Sequence, residues 1–290
     1  MSFTNKQSGF TLVEIIVVIA IMGIIGGLST LIIGRTLDSY AALERREELQ
    51  TSIRLAVERI SRELRHALPN SICVSNGAAC IAGAGSHFHF IPVRDSGRYQ
   101  DRPGAYTAPP PIQRDRLPVS PLSHDRFDVL STNGLNRLNA TTGQLAVVYN
   151  LNNTDIYSGI NDVAHPITAI VQKDINNTVS TNDDIDQIQF GGNVSFANHS
   201  PTRRFHIVDN DVVTLFYLDG TNLRRANTTF ASPNIPAGTP PLLLQNVQAC
   251  NFTYTPGSLS RAGLLKIDIT VALQGEQIQV IHSTHVYNTP

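Results

Sequence analysis

The 290-residue chain has little net charge of either sign: 22 Lys and Arg stand against 23 Asp and Glu, a formal net charge of −1. That balance argues against a nucleic-acid binder, whose domain is usually strongly basic. Cysteine is scarce, with three residues in all, and no second Cys or His pair lies at ligand spacing from Cys73 and Cys80, so no metal site is expected. A phosphate loop, a nucleophile elbow and a serine-histidine set at recognised spacing are also missing. No catalysis and no cofactor are therefore expected. Nor is there a second apolar run of membrane-spanning length, so any crossing of a bilayer is a single pass.

What is present is concentrated at the start. Lys6-Gln7-Ser8-Gly9-Phe10-Thr11-Leu12-Val13-Glu14 runs straight into an apolar segment that ends near Ile33. From Phe10 to Ile33 a helix would extend roughly 36 Å at 1.5 Å per residue, enough for a hydrocarbon core about 30 Å thick. Glu14 lies inside this segment. An acidic side chain at the centre of a bilayer costs about 2.5–3.5 kcal/mol, so a partner or a purpose is expected for it. The plainer reading is an ordinary signal anchor with a chance glutamate. Against that, a secretory leader carries its apolar core before the cleavage site, whereas here the small residue Gly9 precedes the core.

Gly9-Phe10-Thr11-Leu12-Val13-Glu14, behind a short leader with a lysine, resembles the class III signal of type IV pilins and type II secretion pseudopilins. The resemblance implies that a prepilin peptidase cuts after Gly9 on the cytoplasmic side and methylates the new amino terminus on Phe10. Glu14 then becomes the acidic fifth residue of the mature chain. A buried carboxylate needs an opposite charge, and the Phe10 amine of a neighbouring subunit would supply one at the right depth. Lys6 and Arg35 flank the span, so orientation rests on the leader rather than on charge counting. The resemblance further implies a single-pass inner-membrane anchor with a periplasmic head, later displayed in a fibre on the cell surface. Its implied partners are other minor pilins, the major pilin, the inner-membrane assembly platform and its cytoplasmic ATPase.

The helix is expected to continue past the membrane. From Arg35 to Leu68 there is neither proline nor glycine, and Leu49, Ile53, Val57, Ile60, Leu64 and Leu68 recur with the period of a helix that buries one face. Charges of both signs surround them, and Pro69 disfavours continuation. Phe10 to Leu68 would measure roughly 88 Å if unbroken. Gly23, Gly26, Gly27 and Gly34 are its soft points, read either as sites of close helix packing or as places where the helix unwinds. The chain thus divides into a leader at 1–9, a transmembrane helix half at 10–33, an amphipathic helix half at 34–68 and a β-rich head at 69–290.

In the head the pattern changes to short strands. Residues 94–125, rich in proline, glycine and arginine, read as an irregular excursion. Strands are expected at Leu145–Tyr149, Ile185–Phe190, Arg204–Val208 and Val212–Leu218. The last is followed by Asp219-Gly220 and a returning strand, a strong hairpin signal. A second hairpin is expected from Leu264 to Val286 around Gln274-Gly275-Glu276, with one face on the helix stripe, which makes the fold class α+β: a long helix on an antiparallel β-sheet, the pilin fold.

Cys73 and Cys80 bracket a small loop, and in an exported domain we expect a bridge between them, with two free thiols as the alternative. Cys250 reads as a buried apolar residue. His87 and His89 alternate as on a strand and are read as ordinary strand or surface histidines rather than ligands. Asp183, Asp184 and Asp186 lack the glycine and distal glutamate of an EF-hand loop and read as a solvated acidic turn, calcium being the alternative. Arg203-Arg204 and Arg224-Arg225 are taken as surface or interface charge. The Leu218–Arg225 hairpin, Leu244-Gln245-Asn246-Val247 with Phe252 and Tyr254, and the final hairpin look like minor pilins of the secretion-pathway J type, and the whole chain is similar to minor pilins of the mannose-sensitive haemagglutinin pilus. Three roles stay open: a subunit that primes a fibre, an adhesive subunit displayed on it, and a secretion pseudopilin.

Overall fold

The computed structural model describes residues 11–76, 80–81, 83–106, 110–130, 138–158, 162–176, 185–230, 235–257 and 261–286, with the Leu31 side chain excepted. The elements in chain order are α1 (Leu12–Leu64), β1 (Cys73–Ser75), β2 (Ala84–Gly85), β3 (His87–Phe90), β4 (Val93–Arg98), β5 (Ala105–Tyr106), β6 (Ile112–Gln113), β7 (His124–Asp128), β8 (Leu145–Val147) and α2 (Asn153–Tyr157). Then follow β9 (Ala164–Lys173), β10 (Ile185–Val194), β11 (Arg204–Val208), β12 (Val213–Asp219), β13 (Asn222–Thr228), β14 (Leu242–Leu244), β15 (Val247–Thr255), β16 (Gly263–Leu273) and β17 (Glu276–Val286). The arrangement is α+β, one long apolar amino-terminal helix followed by antiparallel sheet.

α1 spans 53 residues, roughly 80 Å, and passes through Gly23, Gly26, Gly27 and Gly34 without a break. It stops at Leu64, short of the expected Leu68. Residues 65–67 tighten into i→i−3 bonds (Arg65 N to Arg62 O, His66 N to Glu63 O, Ala67 N to Leu64 O). The chain is then captured by a neighbouring segment, because Leu68 N donates to Ile91 O at 2.8 Å and Val93 N donates to His66 O at 2.7 Å. Long-range pairing therefore ends the helix before Pro69 can.

The stripe Leu49, Ile53, Val57, Ile60 and Leu64 is buried, together with Ala56. It packs in one core with Leu265, Ile267, Ile269 and Val271 of β16 and with Phe88, Phe216 and Phe252. Each fully buried aliphatic side chain contributes about 1.5–3 kcal/mol of transfer free energy, so this seam fastens helix to head. β16 and β17 pair in register from Gly263 with Val286 to Leu273 with Glu276. Their turn puts Gln274 at φ 48° and Gly275 at φ 87°, the doubly positive geometry that closes a two-residue hairpin. The sheet order is β17-β16-β15-β2, and beside it runs β1-β3-β12-β13-β14.

The β12–β13 hairpin pairs Leu218 with Leu223 and Asp219 with Asn222, so its loop is Gly220-Thr221, one residue later than the sequence suggested. Gly220, at φ 59°, opens the loop, and the Asp219 carboxylate stays in the ladder to bind Arg224 Nε at 2.8 Å.

A larger departure concerns residues 94–125. They are irregular only in part: among their described residues they also supply β4, the short β5–β6 ribbon and the start of β7, and feed a six-stranded sheet of order β4-β11-β8-β9-β10-β7. This sheet has its own core of Tyr99, Phe127, Ile167, Ile188, Phe190, Phe196 and Phe205. A third cluster, Leu68, Ile91, Val147, Ile156, Val208 and Val213, joins the two halves of the head. So does a reciprocal amide clamp: Asn70 Nδ2 donates to Asn150 O at 2.9 Å and Asn150 Nδ2 to Pro69 O at 2.8 Å.

Ile60 has no exposed surface in the seam, whereas Leu55 on the opposite face is 62% exposed. Ile60→Ala should cost about 2–5 kcal/mol of head stability, and Leu55→Ala should stay within about 0.5 kcal/mol. Chemical denaturation of the micelle-bound chain would measure both.

Candidate functional site

The amino-terminal half of α1 packs against no other element among the described residues. From Leu12 to Tyr40 the described side chains are exposed, and an 18-residue window there has mean hydropathy 2.7 with none of it buried. Soluble surfaces rarely expose contiguous apolar patches beyond a few hundred Å². Thr30, Thr36 and Ser39 turn their hydroxyls back onto the carbonyls of Gly26, Ile32 and Arg35 at 2.8–2.9 Å, which suits polar groups on a helix without water. A Cβ at Gly23, Gly26, Gly27 or Gly34 would meet nothing within 4 Å. Nothing among the described residues therefore requires those glycines.

Gly9 and Phe10 lie outside the described residues. Thr11 caps the helix, its hydroxyl accepting from Glu14 N at 3.4 Å. The pattern Thr11-Leu12-Val13-Glu14 is that of a capping box, a signal the sequence reading passed over. Glu14 sits in the first turn, at the positive end of the helix dipole, where a carboxylate gains about 0.3–1 kcal/mol. It is thus placed at one edge of the apolar span rather than at its midpoint. Glu14 is exposed, and its carboxylate has no bonded partner among the described residues.

Where α1 meets the head, charge is used internally. Arg54 pairs with Glu58 and Arg59 with Glu63, and Glu63 also receives Arg225 Nε at 3.0 Å. Ser61 Oγ lies 3.2 Å from His282 Nε2. Arg203 pairs with Asp101 at 2.6 Å and Arg224 with Asp219. Of the two basic pairs, Arg203, Arg224 and Arg225 are partly exposed and engaged in ion pairs within the chain, and Arg204 is exposed, in keeping with surface charge.

Cys73 and Cys80 form a disulfide with Cα atoms 5.3 Å apart. His89, the antiparallel partner of Cys73, points its ring to the same place, so that sulfurs and ring lie within 4.8 Å of one another. The ligand form of cysteine is the thiolate, and here both sulfurs are spent on each other. The His89 ring is buried edge-on against Tyr157, and its Nδ1 has no hydrogen-bond partner among the described residues. Burial lowers its pKa from 6.5 to about 4. His206 is lowered to about 4 too, by burial first and then by Arg204. His87 stacks on Tyr217 and is lowered by burial. Cys250 is buried and unpaired as a disulfide, its thiol pushed up to about 12 by burial and then by Asp268.

Asp183 and Asp184 lie outside the described residues. Asp186 is buried rather than solvated, its carboxylate accepting from Leu138 N at 2.8 Å. Sequence reasoning also missed a partly buried polar cluster of Asp115, Asp128, Lys173 and Gln187. Its members lie 13 to 72 positions apart, and no local pattern ties them together.

Residues 4–30 match the family model described as Prokaryotic N-terminal methylation motif. Neither a curated protein nor a solved structure matches the chain. The motif supports a type IV pilin-like or pseudopilin role, with processing by a prepilin peptidase and assembly with other pilins. Together with the exposed apolar helix it marks a membrane-anchored protein.

His89 also sets an expected pH response. In the folded chain its ring stays neutral down to about pH 4, whereas unfolded it binds a proton near 6.5. Stability is therefore full above about pH 6.5 and falls as pH drops toward 4, by up to about 3 kcal/mol from this residue. Thermal melts across that range should show a shallower loss for His89→Phe than for the parent chain, with His206 supplying the residual slope. Equal slopes would remove His89 as the cause.

Proposed function

We propose that this chain is a minor type IV pilin, MshO-like, that helps prime assembly of a mannose-sensitive haemagglutinin type pilus as part of a minor pilin complex near the fibre tip. The observation that carries the reading is the division of α1. One half is buried in the head through Leu49, Ile53, Val57, Ile60 and Leu64, and the other half, whose described side chains are exposed and mostly apolar, lies largely within the methylation motif at residues 4–30. Such a rod suits a membrane before assembly and a bundle of like helices afterwards, while the head is carried at its end.

In this reading the prepilin peptidase cuts after Gly9 and methylates the Phe10 amine. Glu14, unpartnered among the described residues, receives the amine of a neighbouring subunit. That pairing favours one axial register, since a desolvated carboxylate left alone is costly. The presence of Glu14 is consistent with a subunit above this one, hence a place just below the tip. The role is structural, without catalysis or cofactor. The head faces the periplasm and then the cell surface, and the inner-membrane platform drives assembly.

Deletion of the chain tests the reading: loss of surface fibres is the expected result. Intact fibres that no longer adhere would transfer the role to an adhesive subunit, and blocked enzyme export with fibres retained would mark a J-type secretion pseudopilin. The charge mechanism has its own test. Glu14→Val should leave cleavage and membrane insertion intact but reduce co-purification with partner minor pilins several-fold, and undiminished co-purification would overturn the pairing.

A further inference from the structure

The six-stranded sheet contains one lysine, and its position is chemically unusual. The chain holds nineteen arginines and three lysines, Lys6, Lys173 and Lys266. Arginine is the usual choice for a buried ion pair, because its planar fork matches a carboxylate and is weakly hydrated. Yet the fully buried Asp128 carboxylate and the partly exposed Asp115 beside it face Lys173. Its Nζ lies 3.1 and 3.0 Å from Oδ1 and Oδ2 of Asp128, 2.6 Å from Oδ2 of Asp115 and 2.6 Å from Gln113 O. The Asp128 side chain has no exposed surface, and that of Lys173 is 15% exposed.

We propose that Lys173 and Asp128 condense to an intramolecular isopeptide bond, with Asp115 as the proton carrier. Near-equal distances to both Asp128 oxygens put Nζ at near-attack range of Cγ, roughly 3–3.5 Å. The Lys173 ammonium gives a proton to Asp115, and the freed Nζ lone pair forms the bond to Cγ. Charge then develops on the Asp128 oxygens. Three donors already hold those atoms: Gln187 Nε2 on Oδ1 at 2.9 Å, and Tyr106 OH and Asp115 N on Oδ2 at 3.1 and 2.9 Å. They act as an oxyanion hole. Asp115 returns its proton to the departing oxygen, and a second proton from nitrogen completes a water molecule. An ammonium and a carboxylate become an amide and water, with no oxidant, metal or nucleotide consumed.

Burial favours that direction, since a neutral amide costs far less to enclose than a pair of ions. The arrangement across the sheet gives the bond a purpose. Asp128 ends β7, one of the two edge strands, whereas Lys173 ends β9, and β10 lies between them with Gln187 opposite Asp128 on one side and Val171 on the other. The link would cross an intervening strand and join two that share no backbone hydrogen bonds. Force on the chain could not then peel β7 from the sheet or extend residues 128 to 173.

The test is independent of any pilus assignment. The full-length chain, purified in detergent and reduced, should weigh about 18 Da less than its sequence after allowance for amino-terminal processing, from the loss of one water. Proteolysis should release a branched peptide joining Lys173 to Asp128. Lys173→Arg should restore the full mass, and Asp115→Asn should leave most of the chain unlinked while keeping the Cys73–Cys80 disulfide, which reports folding. Folded parent chain of full mass, yielding separate Lys173 and Asp128 peptides, would overturn the proposal and leave an ion pair.

Discussion

The structure depends on one helix being asked to live in two solvents. Its carboxy-terminal half is amphipathic and closes the core above β16, and its amino-terminal half is mostly apolar and exposed among the described residues. Hydrophobic burial fastens the first half. The second half can satisfy its backbone only within itself, which an α-helix does and a loop does not. Continuity between the two then follows from composition, since no residue between Arg35 and Leu64 breaks a helix.

From that constraint the distribution of charge becomes intelligible. Glu63 sits where helix meets sheet and is shared by Arg59 and Arg225, so the seam is apolar at its centre and ionic at its rim. Glu14 sits at the other end of the same helix, in the first turn, with no such arginine among the described residues. Two glutamates on one element thus have opposite circumstances, one satisfied by the fold and one left to whatever surrounds the helix. In the assembly proposed above that surrounding would be another helix, and the exposed carboxylate would then bear on register.

Much of this was legible in the sequence because it is local. The methylation motif is contiguous, the stripe from Leu49 to Leu64 repeats every three or four residues, and the alternation in Ile267, Ile269 and Val271 declares a strand with one buried face. What escaped was non-local. The strand β4, with Asp95, Ser96 and Gly97 in its middle, has no apolar alternation to betray it and is a strand because β11 pairs with it. Likewise β9 carries Pro166 and mixed polarity, and its place between β8 and β10 is what makes it regular. The helix end moved for the same reason, since residues 91–93 compete for the backbone groups of His66 and Leu68.

The sequence by itself determined the signal, the helix and its buried face, and the two hairpins, since each is written in neighbouring residues whose spacing matches a backbone period. Only the tertiary structure decided that the head has a second core, that His89 shares its burial with a disulfide, and that Asp115, Asp128 and Lys173 converge. The reason is physical: those outcomes are set by which strands pair across dozens of residues. Burial then changes what a lysine or a histidine can do, and no local spacing records how deep a side chain will lie.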